Sequence, residues 1–182
     1  MLEILVPLTP EYWDENKQEF VDAETIALQL EHSLLSVSKW ESKWCKSFIG
    51  SSKKLSDEEI LDYIKCMTLN KNVQSKVYDH LTPRNVKEIE KYISAPMTAT
   101  YFSESKSNKT SRETVTSELI YYWMIALNIP FECQKWHLNR LLTLIRVCNI
   151  KNQPPKKMSK KDIMSRNTAL NAARRKQFNT KG

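Results

Sequence analysis

The stretch TSRETVTSELIYYWMIALNIPFECQKWHLNRLLTLIRVCNIKN, residues 110–152, decides how this chain is read. It looks like two long apolar helices folded back at a short turn. Thr110 or Ser111 caps the first, and Glu113 follows Thr110 by three residues, the spacing of a capping box. Val115, Leu119, Tyr122, Trp123 and Ala126 then recur at helical spacing, with Ile120, Ile125 and Leu127 widening the stripe. Asn128 and Pro130 end it, because proline lacks a backbone donor and clashes with the preceding turn. Phe131 to Asn149 gives the second helix, with Leu138, Leu141, Leu142, Ile145 and Cys148 on one face and Leu144 and Val147 on the other side. A helix apolar nearly all round belongs inside a domain, so this antiparallel hairpin is expected to form the core.

The rest of the chain supports a mainly helical reading. Its 182 residues suit one domain with a tail, and 41% hydrophobic residues with five Trp, seven Tyr and five Phe can fill a core. Gly50 and Gly182 are the only glycines, too few for a β-sandwich, a Rossmann unit or a phosphate-cradling loop. No apolar run is long enough to span a bilayer, and the first residues lack the basic and apolar regions of a secretory signal. A soluble protein of the compartment that makes it is expected, with Cys45, Cys66, Cys133 and Cys148 as reduced packing residues.

Charge divides the chain. Of 28 Lys and Arg and 21 Asp and Glu, residues 151–182 hold 10 and 1, leaving 18 and 20 for residues 1–150. The body stands at −2 and the tail at +9, so the tail carries the whole excess behind the net charge of +7.

Taken in order, residues 2–8 (LEILVPL) read as a short strand stopped by Pro7 and Pro10, and Asp14 to Lys17 as a polar turn. In ETIALQLEH, residues 24–32, Ile26, Leu28 and Leu30 alternate with Ala27, Gln29 and Glu31, the mark of a half-buried strand. Ser38 with Glu41 opens a short helix through Trp40, Trp44 and Phe48, and Ser56 with Glu59 opens another along Ile60, Ile64 and Met67. Val73 to Leu81 is one more short helix. Thr82 and Pro83 start a helix striped by Val86, Ile89, Tyr92 and Ile93, which Pro96 ends. Residues 97–102 (MTATYF) are β-prone and are expected to add a strand to the N-terminal sheet, and residues 103–110 read as a surface loop. Beyond the hairpin, KNQPPKK (151–157) breaks the chain, and Ser159 with Asp162 frames a last helix over about residues 160–176. The organisation is therefore a globular domain over 1–150, with a β hairpin region at 1–32 and helices at 33–150, then a basic linker and helix over 151–182.

No catalytic signature stands out. There is no G-x-S-x-G, and His32, His80 and His137 lie far apart in the sequence. Catalytic groups converge only in the fold, but with no glycine loop and no cofactor box the chain reads as non-enzymatic and without a cofactor. Cys133 and His137, four apart, have the spacing of two metal ligands on one helix. A structural zinc needs four, so they read as core residues. Trp40, Trp44, Trp123 and Trp136 likewise read as core, and an exposed one becomes a candidate anchor for a helical partner.

The tail carries two readings. On the last helix Ile163, Met164 and Leu170 give a thin apolar stripe with Arg166, Arg174 and Arg175 beside it, suited either to a partner or to packing back on the body. Lys156, Lys157, Lys160, Lys161 and Lys176 add an electrostatic patch able to neutralise phosphates. Only Phe178 stands among these cations to stack on a base, so nucleic-acid binding is the alternative and base readout is not expected.

Three segments carry a resemblance over nearly the full chain: QLEHSLLSVSKWESKW (29–44), MTATYFSE (97–104) and the run from ELIYYW to NQPPKKMS (118–159). Together the chain resembles the tail assembly chaperones of tailed bacteriophages, encoded ahead of the tape measure protein. The likeness lies in the whole sequence, so it implies membership more than residue roles. It implies a mostly helical domain with a basic, flexible C-terminal part, acting in the cytoplasm of the infected host and absent from the mature virion. The implied task is to coat the tape measure protein, keep it soluble and recruit tail tube subunits. A homo-oligomer and a longer frameshifted product are compatible with it, the latter through codons for Lys156-Lys157 and Lys160-Lys161. A structural virion component, such as a connector or completion protein, is a further alternative.

Overall fold

Leu34, Val37 and Trp40 follow one another at helical spacing, and none of the three keeps any exposed surface. They lie on helix α1 (Leu34–Trp44), which packs against α2 (Asp57–Met67) and α4 (Ser117–Ala126). The computed structural model describes residues 1–10, 12–14, 18–21, 23–50, 55–102, 114–153 and 159–180. They form a mainly α protein with a small N-terminal antiparallel β element. Contacts divide it into two units, Met1–Asn149 and Ile150–Gly182.

The first unit opens with β1 (Leu2–Pro7) paired antiparallel to β4 (Thr25–Leu30), with Ile4 opposite Leu28 and Val6 opposite Ile26. Alternation works as read: Ile4, Val6, Leu28 and Leu30 are buried, whereas Leu5 points out. Between them, β2 (Tyr12–Asp14) and β3 (Glu19–Val21) form a separate two-stranded ribbon, and residues 15–17 of the expected polar turn lie outside the described residues. The exit of α2 continues the sheet. Glu31 N–H donates to the Met67 carbonyl at 2.9 Å and Leu69 N–H to the Gln29 carbonyl at 2.8 Å, so β4's second edge is partly covered.

Helix α1 is capped by Ser33, five residues before the expected cap. Ser33 accepts from Ser36 N–H while the Ser36 hydroxyl accepts from Ser33 N–H, and Cys45 ends the helix in the left-handed region at φ 51°, leaving Phe48 outside it. Ser38 with Glu41 is therefore no cap. Phe48 still reaches the core, stacking on Tyr63 with ring centroids 4.0 Å apart and meeting Trp40 edge to face at 5.3 Å. The indole N–H of Trp40 donates to the Glu59 carbonyl at 2.9 Å, so its one polar atom is satisfied.

Helix α2 starts on the Ser56–Glu59 capping box as read, and α3 (Pro83–Ser94) on Thr82 with Pro83 in the first turn. Between them Ser75–His80 winds as a 3-10 turn. Residues 97–102 form no strand: Met97 takes φ 49°, outside the extended region, Tyr101 is 86% exposed, and no residue of the segment is buried.

The stretch 110–152 differs most from its reading. Thr110, Ser111 and Glu113 lie outside the described residues, and α4 is capped by Thr116, with Val115 before it. Its inward face is Ser117, Ile120 and Met124, whereas Tyr122 is 63% and Ile125 61% exposed. The expected second helix is broken. Phe131–Lys135 is a 3-10 turn, and α5 (Leu138–Asn152) begins only after His137, which bridges to Ser33 while Leu138 N–H donates to the His32 carbonyl at 2.7 Å. Leu138, Leu141 and Ile145 are its buried face. The core thus centres on α1, with α4 among its neighbours.

The second unit is described by α6 (Lys160–Phe178), capped by Ser159, whose side chain accepts from Asp162 N–H at 3.1 Å. None of its residues is buried.

Candidate functional site

The two buried histidines meet where β4 gives way to α1. His32 Nδ1 meets the Tyr63 hydroxyl at 2.5 Å, and the His32 and His137 rings lie with centroids 5.0 Å apart. His137 Nε2 meets the Tyr92 carbonyl at 3.0 Å, and the Tyr92 hydroxyl donates to Glu31 at 2.7 Å. Burial, with the neighbouring His137 second, lowers the His32 pKa to about 4, and burial holds His137 below its usual value. Burial also pushes both tyrosines up, Tyr92 with help from Glu31. The two imidazoles and two phenols are neutral at pH 7, and their contacts tie the exit of β4 to α2, α3 and the start of α5.

Cys133 and His137 do not share a helix, because Cys133 sits in the 3-10 turn and His137 follows its end. Among the described residues no group of three or more His, Cys, Asp or Glu is placed to hold a metal ion. A cavity of about 400 Å³ opens between α2 and α3, walled by Ile60, Ile64, Ile89 and Ile93 with Glu90 at its edge. Its walls are mainly apolar, with no convergent set of polar groups of the kind that fixes a substrate.

Two ion pairs join α1 and its exit to α2. Lys43 contacts Asp62, which also accepts from the Trp44 indole at 3.0 Å, and Lys46 contacts Glu59. Lys46 holds Glu59 below the usual carboxylate range. Trp40 is fully buried, whereas Trp44, Trp123 and Trp136 are half-buried, the last covered by the Arg140 guanidinium at 4.3 Å from its ring. The tryptophans therefore serve packing first.

Exposed apolar side chains gather elsewhere. On α6, Ile163 and Leu170 are 44% and 45% exposed and Met164 is 72% exposed. Helical geometry sets Leu170 and Arg174 each about 20° from Ile163, on opposite sides of it, with Arg166 about 60° away. Met164 and Arg175 stand roughly 100° to 120° round from Ile163, so the predicted set is one narrow seam plus a second side. Lys160, Lys161 and Lys176 fall at other angles, and the cations surround the helix rather than marking one face. Lys156 and Lys157 lie outside the described residues.

A second surface was not anticipated. Tyr122 and Ile125, one turn apart on α4, face outward, and Phe131, 53% exposed, sets its ring 6.4 Å from that of Tyr121. The signal lay in the composition of SELIYYWMIA, which holds more large apolar residues than one buried face can take. Comparison with protein-family models, curated proteins and solved structures finds no match for this chain.

Proposed function

We propose that this protein is a non-enzymatic assembly factor of a tailed bacteriophage, a tail assembly chaperone that holds the tape measure protein in solution while tail tube subunits gather on it. The observation that carries the reading is α6: nineteen residues of helix with no buried side chain, a narrow Ile163–Leu170 seam and cations all round. Isolated helices are marginal in water, and their stability in proteins comes mostly from packing an apolar face. A partner supplies that packing. The outward Tyr122 and Ile125 of α4 give a second apolar contact on the first unit.

A tape measure is a long, apolar-patterned helical chain that aggregates when left uncovered. Many weak contacts along it, each of modest area, gain strength from repetition. The likeness of residues 29–44, 97–104 and 118–159 to tail chaperones supports this partner, and with it action in the host cytoplasm and absence from the finished virion. The ring of cations on α6 favours a second reading, electrostatic binding of nucleic acid.

Co-expression with the neighbouring tape measure protein, followed by pull-down at moderate and high salt, separates the two. A soluble tape measure retained in high salt supports the chaperone, because apolar contacts resist screening. An insoluble tape measure, with this protein eluting alongside nucleic acid as salt rises, supports the electrostatic reading.

A further inference from the structure

The β2–β3 ribbon sets Trp13 directly opposite Phe20, and their rings meet edge to face with centroids 4.9 Å apart. Such a pair stabilises a ribbon, yet here it does not sink into the core: Trp13 is 48% and Phe20 73% exposed. Large rings left in water on a short ribbon are the kind of anchor that protein partners use. The surrounding sequence is acidic. Residues 11–24 carry Glu11, Asp14, Glu15, Glu19, Asp22 and Glu24 against Lys17 alone, a balance of −5. Helix α6 carries six Lys and Arg against Asp162, a balance of +5, and its exposed seam is Ile163 and Leu170. The chain thus contains two segments of equal and opposite charge, each bearing exposed apolar groups.

We propose that the β2–β3 ribbon of one copy is the docking surface for helix α6 of a second copy. Ile163 and Leu170 pack on Trp13 and Phe20, Arg174 reaches the ring faces, and the opposite net charges of the two segments draw them together. The contact is small and charge-assisted, so it is reversible and weakens with salt. It is independent of the tape measure reading, since it concerns the protein alone. A helical partner that takes α6 competes with it.

Sedimentation of the full-length protein over a range of concentrations tests this, using a ribbon variant (Trp13→Ala with Phe20→Ala) and a helix variant (Leu170→Ala with Arg174→Glu). All four side chains are exposed, and circular dichroism checks that both variants fold. The wild type associates in low salt and dissociates as salt rises. Each variant alone associates at least about tenfold more weakly. An equimolar mixture of the two forms a complex of one of each, since one sound ribbon and one sound helix remain. A wild type that stays monomeric at every concentration overturns the proposal, as does association that both variants retain, or a mixture that recovers nothing.

Discussion

Glu41 on α1 and Ser117 at the first turn of α4 are joined across 76 positions of sequence: Ser117 N–H donates to Glu41 Oε2 at 2.7 Å. The other carboxylate oxygen accepts from Phe48 N–H at 2.8 Å. One buried side chain therefore meets a free donor at the start of α4, where a negative charge is favoured, and fixes the loop that brings Phe48 onto Tyr63.

Replacing Glu41 by Ala leaves one buried and one part-buried N–H group without this acceptor. The expected loss is about 2–4 kcal/mol of unfolding free energy, read as a lower denaturation midpoint in urea. Glu41→Gln is expected to lie between, because only one of its two polar atoms can accept. A change below about 0.5 kcal/mol in the alanine variant, the scale of ordinary surface substitutions, contradicts this role.

Trp40 is the largest fully buried side chain and the centre of the aromatic cluster. Trp40→Ala is expected to cost about 3–5 kcal/mol. Trp40→Phe keeps most of the volume and loses the indole bond to the Glu59 carbonyl, which keeps its place in the α2 ladder, so about 0.5–1.5 kcal/mol is lost. Equal stability of the phenylalanine variant and the wild type excludes a structural part for the indole hydrogen bond.

Acid acts through His32. Its pKa falls from 6.5 to about 4 on folding, so the unfolded chain binds the proton more readily. Its contribution to stability is whole above pH 6.5 and declines as pH falls from 6.5 to 4. The loss is on the order of 3 kcal/mol. His137 shifts the same way and adds to it. Thermal midpoints across that window should drop in the wild type and flatten in His32→Gln, whose amide can still accept from Tyr63. A wild-type midpoint unchanged from pH 6.5 to 4 counts against a neutral buried pair.

Sequence reading works best here where the physics is local. Ser56 with Glu59, Thr82 with Pro83 and Ser159 with Asp162 cap their helices as read, because each cap involves neighbours within three residues. Ser38 with Glu41 has the same spacing and misleads, since Glu41 is spent on partners 7 and 76 positions away. The true cap, Ser33 with Ser36, lacks the usual Glu or Gln. In α4 nearly every residue is apolar, so periodicity gives no phase, and Tyr122 and Ile125 were placed inside when they lie outside. The break at His137 has no local signal, because it depends on pairing with Ser33. The α6 seam was legible from Ile163 and Leu170, seven apart, whereas Met164 and Arg175 were grouped with it by nearness in sequence rather than by angle.

The central claim is that α6 holds an apolar helical partner by its Ile163–Leu170 seam. The direct measurement is the soluble fraction of the co-expressed tape measure protein, compared between wild type and an Ile163→Asp, Leu170→Asp variant. Neither residue is buried, so the thermal midpoint of the variant alone is expected to stay near that of the wild type. The soluble fraction is expected to fall several-fold, with the lost tape measure found in the pellet. A variant that keeps the tape measure as soluble as the wild type does contradicts the account.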